Sequence, residues 1–244
     1  MASSPSILSR GALISAAAII TIGLAATQSR GGLLAAAAAA IVALFVMRRH
    51  RLQVTAALAI AVGLIGFWFA ISPGAFERVS NVDDGGNGRE DLWTVAWRVF
   101  EDHPLQGVGL GGFQEASASY VLQPGQLSAV DLIVERPHVV HNTYLQLLAE
   151  TGIIGLVLYL ATLLAFLAAS WQAGRLFDAR GDPGLETLAR SLFVAQISIM
   201  AALFFISGAS TAPFWVLYGV SGALLMVARK PLEDREHPQA NFNA

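Results

Sequence analysis

One histidine and five arginines carry most of the chemistry this sequence offers. His141 and Asn142 stand at the mouth of a long apolar run, with Pro137 and His138 just upstream. A neutral imidazole is the side chain best suited to removing a proton near neutral pH. Arg30, Arg78, Arg89, Arg98 and Arg136 are five of the chain's 15 lysines and arginines, and they stand apart from the clusters formed by the rest. Guanidinium forks match phosphate oxygens and neutralise charge on a departing phosphate. Histidine, arginines and a groove at membrane level together suggest chemistry on a lipid-linked phosphate.

Other candidates are weaker. Glu150 falls nine residues beyond His141, about 13 Å deeper along a helix at 1.5 Å per residue. A carboxylate at that depth is a functional candidate by default, or a hydrogen-bond partner for another helix. Gly152 follows His141 by close to three helical turns and lies on nearly the same face. Ala149, Gly152 and Gly155 form a strip of small residues that lets another helix approach. Asp83 and Asp84 have metal-ligand chemistry, but in a Gly-rich loop they read as solvated acids, so no metal is expected. Gly107-Val108-Gly109-Leu110-Gly111-Gly112 fits G-x-G-x-x-G formally. A dinucleotide site needs a strand before it and a helix after it, and Pro104 precedes instead. The glycines are read as letting the backbone turn tightly against membrane helices. His103, beside Pro104, reads as structural, and His50 and His237 as bland.

The elements that position these residues follow from the scarcity of charge. Of 244 residues, 55% are hydrophobic and 13% charged, against about 25% charged in soluble domains. Mean hydropathy is +0.58. This excludes an ordinary soluble globule and a disordered chain, and a net charge of −2 leaves no basic footprint for nucleic acid. With no cysteine there is no disulfide, thiolate metal site or thiol nucleophile. Six apolar segments, 11–27, 33–47 (extended toward residue 31), 52–72, 143–169, 191–206 and 213–228, approach the roughly 20 residues that cross a bilayer. The first also resembles a signal peptide, but five further segments favour a retained span.

The predicted class is an all-α polytopic membrane protein with about six transmembrane helices and a large extracytoplasmic loop containing amphipathic helices. Residues 1–72 hold three spans, 73–142 the outer loop, 143–230 three more spans, and 231–244 a cytoplasmic tail. Orientation comes from Arg48, Arg49 and Arg51, from Arg175, Arg180 and Arg190, and from Arg10, Arg229 and Lys230, which share one side and mark it cytoplasmic. Both termini are then inside, and the five arginines named first lie outside. Arg30 sits in the short turn Ser29-Arg30-Gly31, where it must snorkel or find an anion. Residues 89–103 have apolar positions at helical spacing. Trp93 and Trp97 give that helix an aromatic edge suited to a membrane interface. Arg89 opposes the dipole at its first turn, which hints at ligand duty.

These residues resemble the O-antigen ligase and polymerase superfamily. His141-Asn142, nine residues, then Gly152-Ile153-Ile154-Gly155 match its His-Asn and Gly-x-x-Gly signature. Ser29-Arg30-Gly31 resembles its arginine turn. Gly88-Arg89-Glu90-Asp91-Leu92-Trp93 is similar to its Gly-Arg-x-x-x-Trp element, and Pro104-Leu105-Gln106-Gly107-Val108-Gly109 to its Pro-x-x-Gly-x-Gly element. The resemblance runs over roughly residues 25 to 230. Members typically have about twice as many spans, so this chain is expected to correspond to their C-terminal half.

The resemblance implies inverting, metal-independent glycosyl transfer, without a cofactor, from an undecaprenyl-pyrophosphate-linked glycan to an acceptor hydroxyl on a glycan, lipid or protein. His141 would be the base and Asn142 would orient the site. Arg30 and Arg89 would bind pyrophosphate, and Arg98 and Arg136 are additional anion contacts outside the motif. Gly152 and Gly155 would serve packing. The setting implied is the bacterial inner membrane with the site on its outer face. Repeat-unit polymerase, transporter and non-catalytic membrane subunit are the alternative readings.

Overall fold

In the computed structural model, residues 7–80, 89–121 and 139–230 are described. Among them are nine α-helices and no strand. In order they are α1 (Ile7–Ala26), α2 (Arg30–Val46), α3 (Arg51–Ile71), α4 (Pro73–Ser80), α5 (Arg89–Asp102), α6 (Phe113–Val121), α7 (Thr143–Ala179), α8 (Pro183–Ala202) and α9 (Ala212–Arg229), with a 3-10 turn at Arg48–His50. Asp83, Asp84, Arg136, His138 and His237 lie outside the described residues.

Four helical segments are long and apolar enough to cross a membrane: Arg48–Ile71, α7, α8 and α9. Gly11–Ala26 and Arg30–Val46 are shorter apolar helices. Large apolar side chains such as Ile14, Leu52 and Met226 point outward. Helices that are apolar all round belong in a membrane rather than in water. The chain is a membrane protein whose described residues form helices and no strand.

α2 and α8 pack antiparallel. Phe205, just beyond α8, sits over Gly31, where a Cβ would collide with the phenyl ring. Further along, Ser198 Oγ donates to the Ala35 carbonyl at 3.2 Å, and at the far end Arg49 meets Glu186 at 3.4 Å. The starts of α2 and α7 and the end of α8 therefore share one end of the bundle. α2, 17 residues long, rises about 26 Å at 1.5 Å per residue, a little under a hydrocarbon thickness. At mid-bundle, Gln196 is fully buried and clasps three helices: Ser170 Oγ donates to its Oε1 at 2.8 Å, and its Nε2 donates to Ser221 Oγ at 2.9 Å. A polar group in an apolar interior needs such partners, and here they fix the packing of α7, α8 and α9.

Two helix bounds differ most from those the hydropathy predicts. α7 continues ten residues past residue 169, and α8 begins at Pro183 rather than 191. Between them Gly181 takes φ 69°, its N–H donates to the Asp178 carbonyl, and the Asp182 N–H donates to the Phe177 carbonyl. This is a Schellman stop. Asp182 then caps α8 by accepting from the Leu185 N–H, with Pro183 in the first turn. Cap and turn signals thus extend both elements beyond their apolar cores.

Candidate active site

At the end of the bundle where α7 begins, α5 and α6 form a cap. Leu92, Val95 and Val99 of α5 bury against Phe113, Tyr120, Val140 and Ala149. α5 is the amphipathic helix that the apolar spacing predicts, ending at Asp102. The two tryptophans are engaged differently: Trp93 Nε1 donates to the Val140 carbonyl at 3.1 Å, whereas the exposed Trp97 donates to Glu101 Oε1 at 2.8 Å. Trp93 ties α5 to the residue before His141. Arg89, half-buried at the first position of α5, is one turn away on the same face, about 6 Å along the axis.

His141 is not on α7. It takes φ 55°, left-handed backbone that few non-glycine residues adopt, although histidine is among those enriched there. Such local strain persists only where the surroundings hold it. The His141 N–H donates to Ser207 Oγ at 3.0 Å. Thr143 holds the same loop from α7: its N–H donates to the Leu203 carbonyl, its Oγ1 donates to the Ile206 carbonyl at 2.6 Å and accepts from the Gly208 N–H. Asn142 is buried, and its Oδ1 accepts from the N–H groups of Tyr144 and Leu145 at 3.0 and 3.1 Å. Asn142 is thus the N-cap of α7. Its side-chain oxygen thereby fixes where the helix starts.

Gly152 breaks α7. Its φ 64° and ψ −168° fall in a region open essentially to glycine alone. The break frees the Ala149 and Glu150 carbonyls, which accept from the N–H groups of Val108 and Gly109 at 3.0 and 2.8 Å. In return the Ile153 N–H donates to the Pro104 carbonyl at 2.9 Å. What approaches Gly152 is therefore a loop, 104–109, rather than another helix. Gly155 also has a different role from the expected helix-packing strip, because its missing Cβ makes room for the Thr151 side chain one turn back. Glu150 is buried, and its carboxylate accepts from Gln146 Nε2 of the same helix at 3.0 Å.

Arg30 is exposed at the first position of α2, which Ser29 caps by accepting from the Gly32 N–H. Phe205, which covers the neighbouring Gly31, lies two residues before Ser207, so one loop supports both Arg30's helix and His141. Arg98 lies nine residues beyond Arg89, and its Nη1 donates to the Tyr120 carbonyl at 3.0 Å, bracing α6 on α5. Burial pushes the Tyr120 phenol above its usual range, and the Asp102 carboxylate it bonds adds to that rise. Arg136 is outside the described residues, and of Arg78 only its position on α4 is described. Among the described residues, no three of His, Asp and Glu gather as a metal would require. An apolar groove of about 440 Å³ opens beside Tyr144, lined also by Leu156, Leu160, Met200 and Phe204.

Sequence reasoning missed Ser207, Thr143 and Phe205. The one sequence signal there is the run Ser207-Gly208-Ala209-Ser210 between two apolar segments, whose small polar residues suit a turn.

A family model described as O-antigen ligase matches residues 14–160, and all eight candidate residues from Arg30 to Gly155 fall inside the match. No curated protein matches the chain.

Proposed function

The chain belongs to the O-antigen ligase family, and from that premise we propose that it transfers a glycan from undecaprenyl pyrophosphate to an acceptor hydroxyl at the outer face of the bacterial inner membrane. In this reading six helices cross the membrane, α1 and α2 included, and both termini are cytoplasmic. His141 takes the proton from the acceptor hydroxyl as its oxygen attacks the anomeric carbon. The carbon–oxygen bond to pyrophosphate breaks with inversion, and undecaprenyl pyrophosphate leaves. Arg30 and Arg89 hold the pyrophosphate and balance the charge that grows on it, without a metal. The apolar groove beside Tyr144 accepts the prenyl chain, whose burial needs no polar partner.

The observation that carries this reading is the Trp93–Val140 hydrogen bond, which holds the Arg89 helix against the residue preceding His141. A phosphate-binding cation and a base are thereby tied to one framework. The groove supports a lipid-borne donor over a soluble one. The test is reconstitution of purified chain with lipid-linked donor and acceptor. Release of undecaprenyl pyrophosphate together with glycosylated acceptor is expected, and the size of the product separates single-block transfer from repeat-unit chain extension. Glycan movement across the bilayer without a new glycosidic bond would replace the reading with transport.

A further inference from the structure

The opposite end of the bundle carries a second built feature, independent of the transfer reading. Where α2 ends, α7 ends and α8 begins, a cleft of about 510 Å³ opens between the helices. Four arginines line it, Arg48, Arg49, Arg175 and Arg190, against two acids, Asp178 and Glu186. Glu186 is buried and accepts from Arg190 Nε at 2.7 Å and from Arg49 Nη1 at 3.4 Å. Arg190 also reaches Asp178 at 3.8 Å and stacks over the Trp171 ring at 5.9 Å. Both acids are thereby engaged. Arg48 and Arg175 are exposed and, among the described residues, no acid pairs with either.

We propose that this cleft binds the phosphate head of an anionic membrane phospholipid. The excess of two guanidiniums calls for an anion, and arginine forks suit phosphate oxygens in particular. The walls decide the carrier. Phe45 and Trp171, both exposed, line the same cleft, so a phosphate arriving on a hydrocarbon tail has an apolar surface for that tail. Basic pockets between spans are the sites where anionic head groups settle. A zwitterionic head brings its own cation beside the arginines and gains less. Buried Glu186 holds Arg49 and Arg190 in place before the lipid arrives, which lowers the ordering cost of binding.

The test uses the purified full chain in dodecyl maltoside, with thermal unfolding followed after adding phosphatidylglycerol, phosphatidylcholine or inorganic phosphate. Phosphatidylglycerol is expected to raise the unfolding midpoint, since a ligand of the folded state stabilises it by mass action. The Arg48→Gln, Arg175→Gln double variant is expected to keep the wild-type midpoint in plain detergent and to bind phosphatidylglycerol roughly 30-fold more weakly, at about 1 kcal/mol per lost cation. The Arg48→Lys, Arg175→Lys variant should recover most of the effect. Should the glutamine variant unfold early, native mass spectrometry of wild type and the lysine variant still reads retained phosphatidylglycerol directly. Equal stabilisation by phosphatidylcholine, equal stabilisation by inorganic phosphate, or an undiminished phosphatidylglycerol effect in the glutamine variant would each overturn the proposal.

Discussion

Gly107 and Gly152 lock together across 45 positions of sequence. A Cβ on Gly107 would strike the backbone of Ala149 and Glu150, and a Cβ on Gly152 would strike the backbone of Leu105 and Gln106. Both glycines have positive φ, 65° and 64°. Three backbone hydrogen bonds cross this contact, and they join the loop after α5 to the break in α7. The loop and the helix that follows His141 are thereby one rigid piece.

Gly107→Ala and Gly152→Ala are each expected to cost about 2 kcal/mol or more, through strained backbone and a forced separation of loop from helix. Because each breaks the same contact, the double variant should lose clearly less than the sum of the two. Thermal unfolding of the four proteins in detergent measures this coupling. Additive losses would mean that the glycines act separately.

Asn142 is expected to behave as a cap. Asn142→Ser and Asn142→Asp retain an oxygen for the Tyr144 and Leu145 N–H groups and should keep stability and most of the activity. Asn142→Ala should lose about 1 kcal/mol and let the start of α7 fray. If Asn142→Ser is as inactive as Asn142→Ala, the carboxamide touches substrate instead.

Trp93→Phe keeps the apolar bulk and removes the indole donor to the Val140 carbonyl. A loss near 1 kcal/mol is expected for the hydrogen bond. Since the tie positions α5, donor KM should rise while donor-saturated turnover falls less. An unchanged KM would detach Trp93 from the positioning of Arg89.

Arg89 and Arg98 should separate cleanly. Arg89→Ala is expected to weaken donor binding with little effect on unfolding. Arg98→Ala removes the brace to the Tyr120 carbonyl and should lower the unfolding temperature while leaving donor affinity near wild type. Isothermal titration with a lipid-linked pyrophosphate, run beside melting curves, reads both. Reversed behaviour would exchange the two roles.

Much of the architecture was legible because apolar stretches and turn residues are local signals. The long apolar helices and the α5 helix both follow from them. His141, Asn142 and Gly152 were legible as a motif, yet their physical roles were not, since those depend on partners far along the chain. Ser207 binds His141 from 66 positions away, and Trp93 binds Val140 from 47. Gly152 was expected to admit a helix and admits a loop, because spacing shows where backbone comes close but not what approaches. Arg98 was read as an additional anion contact, and its bond to the Tyr120 carbonyl was hidden for the same reason, since that carbonyl belongs to the next helix.

The central claim is that His141 is the base, and His141→Asn tests it most directly. Asparagine accepts the φ of 55° at this position, and its backbone N–H can still donate to Ser207, so fold and framework should stand while the imidazole is lost. Transfer by the reconstituted variant from a lipid-linked donor is expected to fall about 10²- to 10⁴-fold, with donor affinity within a few-fold of wild type. Turnover equal to wild type in a variant that binds donor normally would contradict the account.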